Sequence, residues 1–288
     1  MVERTLGVIG GSGLYEMPGL EDLERTRVRT PFGDPSDEIV AGRLAGTRLL
    51  FLPRHGRGHR LLPSELPFRA NVWALKSLGA DCLLAVSAVG SLREEIAPGH
   101  VVVPDQFIDR TSGRQAESTF FGRGVVAHVQ FADPFCPRLS RALVDAARAS
   151  GALVHAGGTY VCMEGPAFST RAESHLYRSW GAHVIGMTNL QEAKLAREAE
   201  LCFATLALAT DYDCWREGHD DVQIEEILQV LAANVELARR AVAALAPRLP
   251  APTGCPCPRA LEHAIITDRA AIPADVKRDL APIAGRYL

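Results

Sequence analysis

The alternation of strand-like apolar runs with helical segments is the feature of this sequence that most restricts its fold. The apolar runs, most of which end in a Gly, Ser, Thr or Asp turn, lie at residues 6–9, 48–52, 82–88, 100–103, 159–163, 183–187 and 203–209. Helical patterns, several of them followed by a glycine, lie at residues 68–78, 137–150, 171–180, 190–200 and 222–245. Strands that alternate with helices form a sheet covered by helices, so the sequence predicts an α/β fold.

Only one compositional break divides the chain. Residues 247–258 are rich in proline, whereas no repeat, charge block or Ser/Gly linker interrupts the residues before them. The sequence therefore predicts a single domain over residues 1–250 and a C-terminal extension, residues 251–288, that packs on it.

Composition and charge exclude several classes of protein. Among 288 residues, 31 Lys and Arg against 34 Asp and Glu give a net charge of −3, which argues against a nucleic-acid partner. The longest apolar runs, 82–92 and 201–210, are far shorter than the ~20 residues that span a bilayer. The first residues lack the zones of a signal peptide, and seven cysteines, an odd number, indicate no disulfide framework. We expect a cytoplasmic protein that binds small molecules and neither nucleic acid nor a membrane.

Glycines and a serine follow the first predicted strand. The turn at residues 10–13, Gly-Gly-Ser-Gly, would let backbone N–H groups and the Ser12 hydroxyl approach an anion. Glu16 stands where a dinucleotide fingerprint needs its third glycine, and no lysine follows as in a P-loop. The turn is therefore either an anion site or a structural tight turn.

A basic loop follows the second predicted strand, at residues 53–60. Arg54 offers a bidentate fork to phosphate, and His55 can donate to another oxygen; the alternative is a solvated basic loop. A zinc site at His55 and His59 is disfavoured because the intervening glycines make a poor helix, so no metal is expected. Ser87 and Thr188 also stand at strand ends, and ligands of open α/β sheets gather at the carboxyl ends of strands. We therefore expect Ser12, Arg54, His55, Ser87 and Thr188 to converge.

Two carboxylates close the most apolar predicted strand. Strand spacing predicts that Asp211 and Asp213 share one face, where their charges repel unless one is protonated, solvated or turned to a ligand. An exposed acidic loop is the alternative. The turn at residues 161–171 adds an aromatic ring, Phe168, and a ring of this kind, taken singly, is more often a core residue than a ligand-stacking one.

Taken together, these segments resemble one family. The sequence is similar to the 5'-methylthioadenosine phosphorylases, which are trimeric members of the purine nucleoside phosphorylase superfamily, from about residue 7 to residue 245. The residues that carry the resemblance are GGSGL at 10–14, TPFG at 30–33, PSD at 35–37, RHG at 54–56, GSLREE at 90–95, DQFIDRT at 105–111, EGP at 164–166, FS at 168–169, RAE at 171–173 and TDYDCW at 210–215.

The resemblance implies a fold, a reaction and a set of site residues. The fold would be a single domain with a central mixed β-sheet flanked by helices, and the reaction would be phosphorolysis of methylthioadenosine in methionine and purine salvage, with inorganic phosphate as co-substrate and no organic cofactor or metal. Phosphate would be held by Ser12, Arg54, His55, Ser87, the Ala88 backbone and Thr188. The nucleoside would contact Phe168, Ser169, Met187, Asp211, Tyr212, Asp213, Ile224, Ile227 and Leu228, and His128 of a neighbouring subunit, because the protein would be a homotrimer or a hexamer of paired trimers.

The expected chemistry suits these residue types. A protonated Asp211, its pKa raised by burial and by Asp213, would give a proton to N7 of the departing purine. A carboxyl also matches the N6 donor of adenine, whereas a 6-oxopurine calls for an amide. A purine nucleoside or methylthioinosine phosphorylase acting on 6-oxopurines is the alternative within the superfamily, and a nucleoside-binding module without turnover is the alternative outside it. Cys255 and Cys257 resemble a C-x-C pair that can oxidise in some microbial relatives, and here they are expected to be reduced.

Overall fold

The computed structural model describes residues 4–11, 13–14, 16–216, 224–251 and 253–288, the side chains of 224–229 and 231 excepted. The described strands are β1 (Thr5–Gly10), β2 (Glu21–Thr26), β3 (Ile39–Leu44), β4 (Thr47–Pro53), β5 (Cys82–Ser91), β6 (Val101–Val103), β7 (Gln106–Arg110), β8 (Val154–Ala156), β9 (Thr159–Met163), β10 (Val184–Gly186) and β11 (Cys202–Asp211). The described α-helices are α1 (Phe68–Ser77), α2 (Pro137–Ala149), α3 (Arg171–Ser179), α4 (Asn189–Glu198), α5 (Ile224–Leu245), α6 (Ala274–Asp279) and α7 (Ala281–Ala284).

All seven predicted strands and all five predicted long helices are present, within a few residues of their predicted bounds. Residues 222–223 of the last predicted helix lie outside the described residues. Four strands were missed, and β2 shows why. Its sequence, EDLERT, is mostly charged because the strand lies at an exposed edge of the sheet, where no apolar run is needed.

The described strands form one mixed sheet that divides at β5. One path runs β2-β3-β4-β1-β5-β10-β9-β7, and β11 leaves it by pairing with β5 and β6. Four adjacent strands run parallel to one another, in the order β4, β1, β5 and β11. Their carboxyl ends therefore meet at one edge of the sheet. The strand β10 instead runs antiparallel to the last residues of β5. The α/β prediction with a mixed sheet is therefore confirmed.

Helices cover both faces of the sheet. Along β5, Cys82, Leu84 and Val86 pack with α2 and α5, whereas Leu83 and Ala85 point to the other face and pack with α1 and α4. A strand covered on both faces reads as a continuous apolar run rather than an alternating one. This is why the central strands were the clearest signals in the sequence.

From Leu261 onward, the C-terminal residues pack on the α1 side of the sheet. Leu261, Ile272 and Val276 belong to the core that α1 and α4 share, and the Trp73 ring donates a hydrogen bond to the carbonyl of Asp279 at 2.9 Å. The boundary at residue 250 stays a prediction. Within the part of the chain that the structure describes, no helix combines the length and apolar character that crossing a membrane requires.

Glu200 anchors this C-terminal segment, which yields a prediction of stability. Its buried carboxylate accepts hydrogen bonds from the Leu261 N–H at 3.0 Å, the Arg286 guanidinium at 2.5 Å and the Tyr287 hydroxyl at 2.7 Å. Glu200→Gln replaces one accepting oxygen by a donor, so we expect a loss of about 1–2 kcal/mol in the free energy of unfolding, measured with urea. The matched control is Glu262→Gln, an exposed change in the same segment. Equal stabilities of the two variants would contradict this anchoring role.

Candidate active site

A cavity of about 380 Å³ opens where β1, β4, β5 and β11 end. Its volume lies within the range of pockets that hold small molecules. It brings together residues that are far apart in the sequence and that the sequence analysis named, which are Arg54, His55, Ser87, Ala88, Phe168, Met187, Thr188, Asp211 and Asp213.

The strand β5 forms part of the cavity wall. Most of its residues are buried, but Ala88 is exposed in the middle of the strand because its small side chain borders the cavity. The neighbouring Ser87 is 8% exposed, and its hydroxyl donates to the Ala88 carbonyl at 3.3 Å. A hydroxyl and a strand backbone are therefore open to a ligand here.

Arg54 is buried and paired with a carboxylate. Its Nε and Nη2 donate to the two oxygens of Glu192, at 2.5 and 3.0 Å, and the two side chains are 4% and 1% exposed. Nη1 donates to the carbonyl of Val86 and Nη2 to that of Ile9. Four of the five N–H groups of a guanidinium are thus used, and one N–H on Nη1 has no partner among the described residues. Burial raises the pKa of Glu192, and the charge of Arg54 opposes that rise.

His55 is held as a neutral ring. Its Nδ1 lies 2.8 Å from the Leu61 carbonyl, which can only accept, so Nδ1 carries the proton. Burial, with the nearby charge of Arg54, lowers the pKa of His55 to about 4. The other ring nitrogen, Nε2, is then an acceptor at neutral pH. The expectation that His55 donates to phosphate therefore needs correction, since the ring's free nitrogen accepts a hydrogen bond.

Thr188 and Met187 lie between β10 and α4. Thr188 is 4% exposed and immediately precedes the first residue of α4, so the unpaired N–H groups at the start of this helix lie near its hydroxyl. The loop is held by Arg114, which is 3% exposed and donates to the carbonyls of Met187 and Glu164 and to the Glu164 carboxylate. Arg114 thus fixes the backbone on which Thr188 is presented.

Asp211 and Asp213 reach the same cavity through a turn. Asp211 ends β11, while Asp213 adopts a φ of 53°, a left-handed conformation that Asp tolerates better than most residues. The Asp213 N–H donates to Asp211 Oδ1 at 2.7 Å and closes this turn. The two carboxyls therefore meet by a side-chain-stabilised turn and not, as the strand spacing predicted, by alternation along a strand.

Both carboxyls are shifted toward their protonated forms. Burial raises the pKa of Asp211, and burial together with the charge of Asp211 raises the pKa of Asp213. Oδ2 of Asp213 is buried and makes no hydrogen bond with the described residues. An unpartnered buried carboxylate oxygen is costly, so this atom favours a proton or a ligand donor.

The hydroxyl of Thr210 can accept a hydrogen bond from a protonated Asp211. This hydroxyl lies 2.7 Å from Asp211 Oδ2 and 3.2 Å from the Val89 carbonyl. A hydroxyl has one proton, and the carbonyl can only accept. Both contacts are satisfied when Asp211 Oδ2 carries a proton and donates to Thr210, which in turn donates to Val89. The local geometry therefore accommodates a neutral Asp211.

The other predicted residues, Phe168 excepted, lie outside the cavity or outside the described part. Ser169 contacts the Met163 sulfur at 3.7 Å, and the Tyr212 ring packs on Trp215. His128 is exposed on the surface. Phe168 lines the cavity yet is 58% exposed. Ser12 lies outside the described residues, as do the side chains of Ile224, Ile227 and Leu228.

Sequence reasoning gave no role to three residues of the site. Glu192 and Arg114 are buried charges whose partners are distant in sequence, and Asn234 of α5 lines the cavity and donates to the Ala209 carbonyl at 3.3 Å. A polar residue on the otherwise apolar face of α5 was the available signal for Asn234. Nothing local in the sequence pairs Glu192 with Arg54.

Comparison with known proteins shows the class. The sequence model of the phosphorylase superfamily matches residues 5–247, so the chain is a member of that superfamily. A S-methyl-5'-thioadenosine phosphorylase of Geobacter sulfurreducens is 60% identical over 287 residues, covering 100% of both chains. One of Chloroflexus aurantiacus is 58% identical over 100% of this chain and 99% of its own.

Solved structures agree with the sequence relatives. A methylthioadenosine phosphorylase from an antarctic soil metagenomic library superposes with a TM-score of 0.92 at 46% identity, covering 98% of this chain and 99% of that one. A S12T mutant of the Schistosoma mansoni adenosine/methylthioadenosine phosphorylase, in complex with methylthioadenosine, gives 0.79 at 38% identity, covering 86% and 92%. The chain belongs to the family of the S-methyl-5'-thioadenosine phosphorylases, and the resemblance found in the sequence is confirmed.

The Arg54–Glu192 pair yields a prediction of stability. Glu192→Ala leaves a buried guanidinium without its counter-charge, so we expect a loss of about 3–5 kcal/mol in the free energy of unfolding, measured by urea denaturation. The double variant Arg54→Met/Glu192→Leu removes both charges and should lose less than Glu192→Ala alone. Asp275→Ala, which breaks an exposed ion pair with Arg123, is the control and should leave the unfolding midpoint nearly unchanged. A double variant less stable than the single one would contradict the account.

Proposed function

We propose that this chain catalyses the phosphorolysis of S-methyl-5'-thioadenosine to adenine and 5-methylthioribose 1-phosphate, and is thus a pentosyltransferase. The observation that carries the proposal is a single cavity that joins anion-binding groups, among them Arg54, Ser87 and Thr188, to two carboxyls with raised pKa values, Asp211 and Asp213. The family relatives bear the name of this activity, and a related structure holds methylthioadenosine. We propose that the reaction serves methionine and purine salvage, because its products are a purine base and a methylthio sugar.

At the phosphate end, directed hydrogen bonds do most of the binding. Glu192 neutralises Arg54, so phosphate is held by the remaining Nη1 N–H, by the hydroxyls of Ser87 and Thr188, and by the backbone at Ala88 and the start of α4. Ser12 completes the set, as the resemblance implies. Since Nε2 of His55 is an acceptor, a phosphate monoanion fits this end, with its P–OH donating to the ring.

In the chemical step, the bond between C1' and the base nitrogen breaks while a phosphate oxygen bonds to C1'. The bound phosphate both attacks and stabilises the positive charge that develops on the ribose. Asp211 gives its proton to N7 of the leaving adenine, and Asp213 accepts from the N6 amine through its unpartnered Oδ2. Phosphate supplies the nucleophile, so the proposed reaction needs no organic cofactor or metal ion.

The nucleoside contacts complete the proposed site. Met187 lies against the ribose, and the exposed ring of Phe168 covers the base. The sequence resemblance implies five further contacts with the nucleoside. Their side chains lie either outside the cavity or outside the described part, and the residues are Ser169, Tyr212, Ile224, Ile227 and Leu228.

A homotrimer is proposed because the single chain leaves part of the site open. His128, which the resemblance assigns to the neighbouring subunit's 5'-methylthio pocket, is exposed beside two exposed apolar side chains, Val126 (51%) and Ile266 (66%). Exposed apolar surface of this kind marks interfaces. A solution mass of three times 31.1 kDa is expected, and twice that mass for a hexamer. We also propose a cytoplasmic location, since all seven cysteines are free thiols in the structure.

The first experiment measures adenine release from methylthioadenosine with and without inorganic phosphate. We expect release only with phosphate, and faster than from adenosine, inosine or methylthioinosine. Faster release from the 6-oxopurine substrates would keep the phosphate site and overturn the proposed base recognition. No release from any substrate would favour a binding protein without turnover.

Asp211→Asn tests the proton donor. The variant keeps the shape of the side chain but has no acidic proton, so kcat for methylthioadenosine should fall about 10²–10⁴-fold. Because the active form is the protonated one, wild-type kcat should decline as the pH rises through the raised pKa, whereas the residual activity of the variant should lack this decline. A kcat that stays close to the wild-type value would refute the role assigned to Asp211. Asp105→Asn, outside the cavity, is the control.

His55→Asn tests the acceptor at the phosphate end. The amide of Asn can replace Nδ1 and donate to the Leu61 carbonyl, but it has nothing in the position of Nε2. We expect KM for phosphate to rise about tenfold, which corresponds to the loss of one hydrogen bond to a charged group, while KM for the nucleoside changes little. His59→Asn, the stacked neighbour, serves as the comparison. Equal rises of both KM values would indicate a distorted loop and contradict the specific role.

A further inference from the structure

Four cysteines from three separate parts of the chain meet in the core. Cys136 precedes α2, Cys202 begins β11, and Cys255 and Cys257 lie in the C-terminal segment. All four are buried, and their sulfur atoms all lie within 4.8 Å of one another. We call these residues the cysteine quartet.

The spacing of the sulfurs fits a shared ion. Cys255 Sγ lies 3.6 Å from Cys136 Sγ and 3.6 Å from Cys202 Sγ, far beyond the ~2.05 Å of a disulfide bond. Four thiolates around one zinc at a Zn–S distance of about 2.3 Å lie about 3.8 Å apart at the edges of a tetrahedron. We propose that the cysteine quartet is a structural site for one Zn²⁺ ion, bound as a tetrahedral tetrathiolate.

The surroundings can stabilise the negative charge of such a centre. Cys136 is the N-cap residue of the 13-residue helix α2, whose first N–H groups and positive dipole end lie beside its sulfur. Cys202 pairs in register with Cys82, and Arg4 donates to the Cys82 sulfur at 3.2 Å. A helix N-terminus therefore lies at one quartet cysteine, and a cation bonds to the cysteine that pairs with another, in the manner of the groups that support metal ligands.

The proposed ion would act on stability and not on the reaction. Cys202 and Asp211 are the first and last residues of β11, so about 30 Å of strand separates the quartet from the cavity. The ion would join α2, β11 and the C-terminal segment, and Glu200, two residues before Cys202, separately accepts from the Leu261 N–H of that segment. The spacing of His55 and His59 gave no reason to expect a metal, and the four cysteines are too far apart in the sequence to form a recognisable metal-binding motif. The inference is independent of the proposed function.

The test measures metal in the full chain, purified under reducing conditions without a metal-affinity step. We expect one zinc per chain by elemental analysis, and after its removal, added Co²⁺ should give the charge-transfer and d–d absorption of a tetrahedral tetrathiolate. Cys257→Ala should lose the bound metal, and a chelator should lower the thermal midpoint of the wild type but not of this variant. Cys162→Ala, a buried cysteine outside the quartet, is the matched control and should keep the metal.

Two results would overturn the proposal. One is the absence of stoichiometric zinc as purified together with no tetrathiolate spectrum after reconstitution with Co²⁺. The other is a count of three reactive thiols, instead of seven, in the denatured, chelated protein, which would show that the quartet forms two disulfides. If Cys257→Ala does not fold, the wild-type zinc content and cobalt spectrum decide the matter.

Discussion

The buried ion pair between Arg54 and Glu192 is the interaction on which the rest of the site depends. Through it the loop after β4 is fixed to α4, and the same guanidinium donates to carbonyls of Ile9 in β1 and Val86 in β5. Three strand ends and one helix are thus tied to a single planar group. Removing either charge leaves the other unpaired in the core, which is costly, so the geometry of the whole cavity depends on keeping both.

The two acidic residues that line the cavity, unlike Glu192, are not paired with a basic side chain in the described part of the chain. Asp211 and Asp213 have no basic side chain among their described hydrogen-bond partners, and burial raises the pKa of both. When the pKa of a carboxyl is higher in the folded state than in the unfolded state, the protein loses stability as the pH rises through the folded pKa. The raised pKa values therefore cost stability once both carboxyls ionise, and the proton donor proposed for this site needs such a raised pKa.

The sequence predicted what depends on local patterns and missed what depends on distant partners. The central strands and the convergence of Arg54, Ser87 and Thr188 follow from apolar runs and from the rule that ligands lie at strand ends. The edge strand β2 has no apolar run, and Glu192 lies 138 positions from Arg54, so neither gives a local signal. The turn at Asp213 needed a left-handed backbone that spacing alone does not indicate.

The neutralised charge of Arg54 also determines how the cavity can hold an anion. A free guanidinium would attract any anion, whereas a paired one offers a single N–H in a fixed direction. Burial holds His55 neutral, and the Leu61 carbonyl fixes the proton on Nδ1, so an anion bound as proposed would meet one acceptor, Nε2, among several donors. An anion that carries both acceptor oxygens and one O–H satisfies this set, and sulfate at neutral pH does not. In the proposed site, the acceptor on His55 would thereby favour phosphate over sulfate, while the Arg54–Glu192 pair limits the guanidinium to one directed N–H.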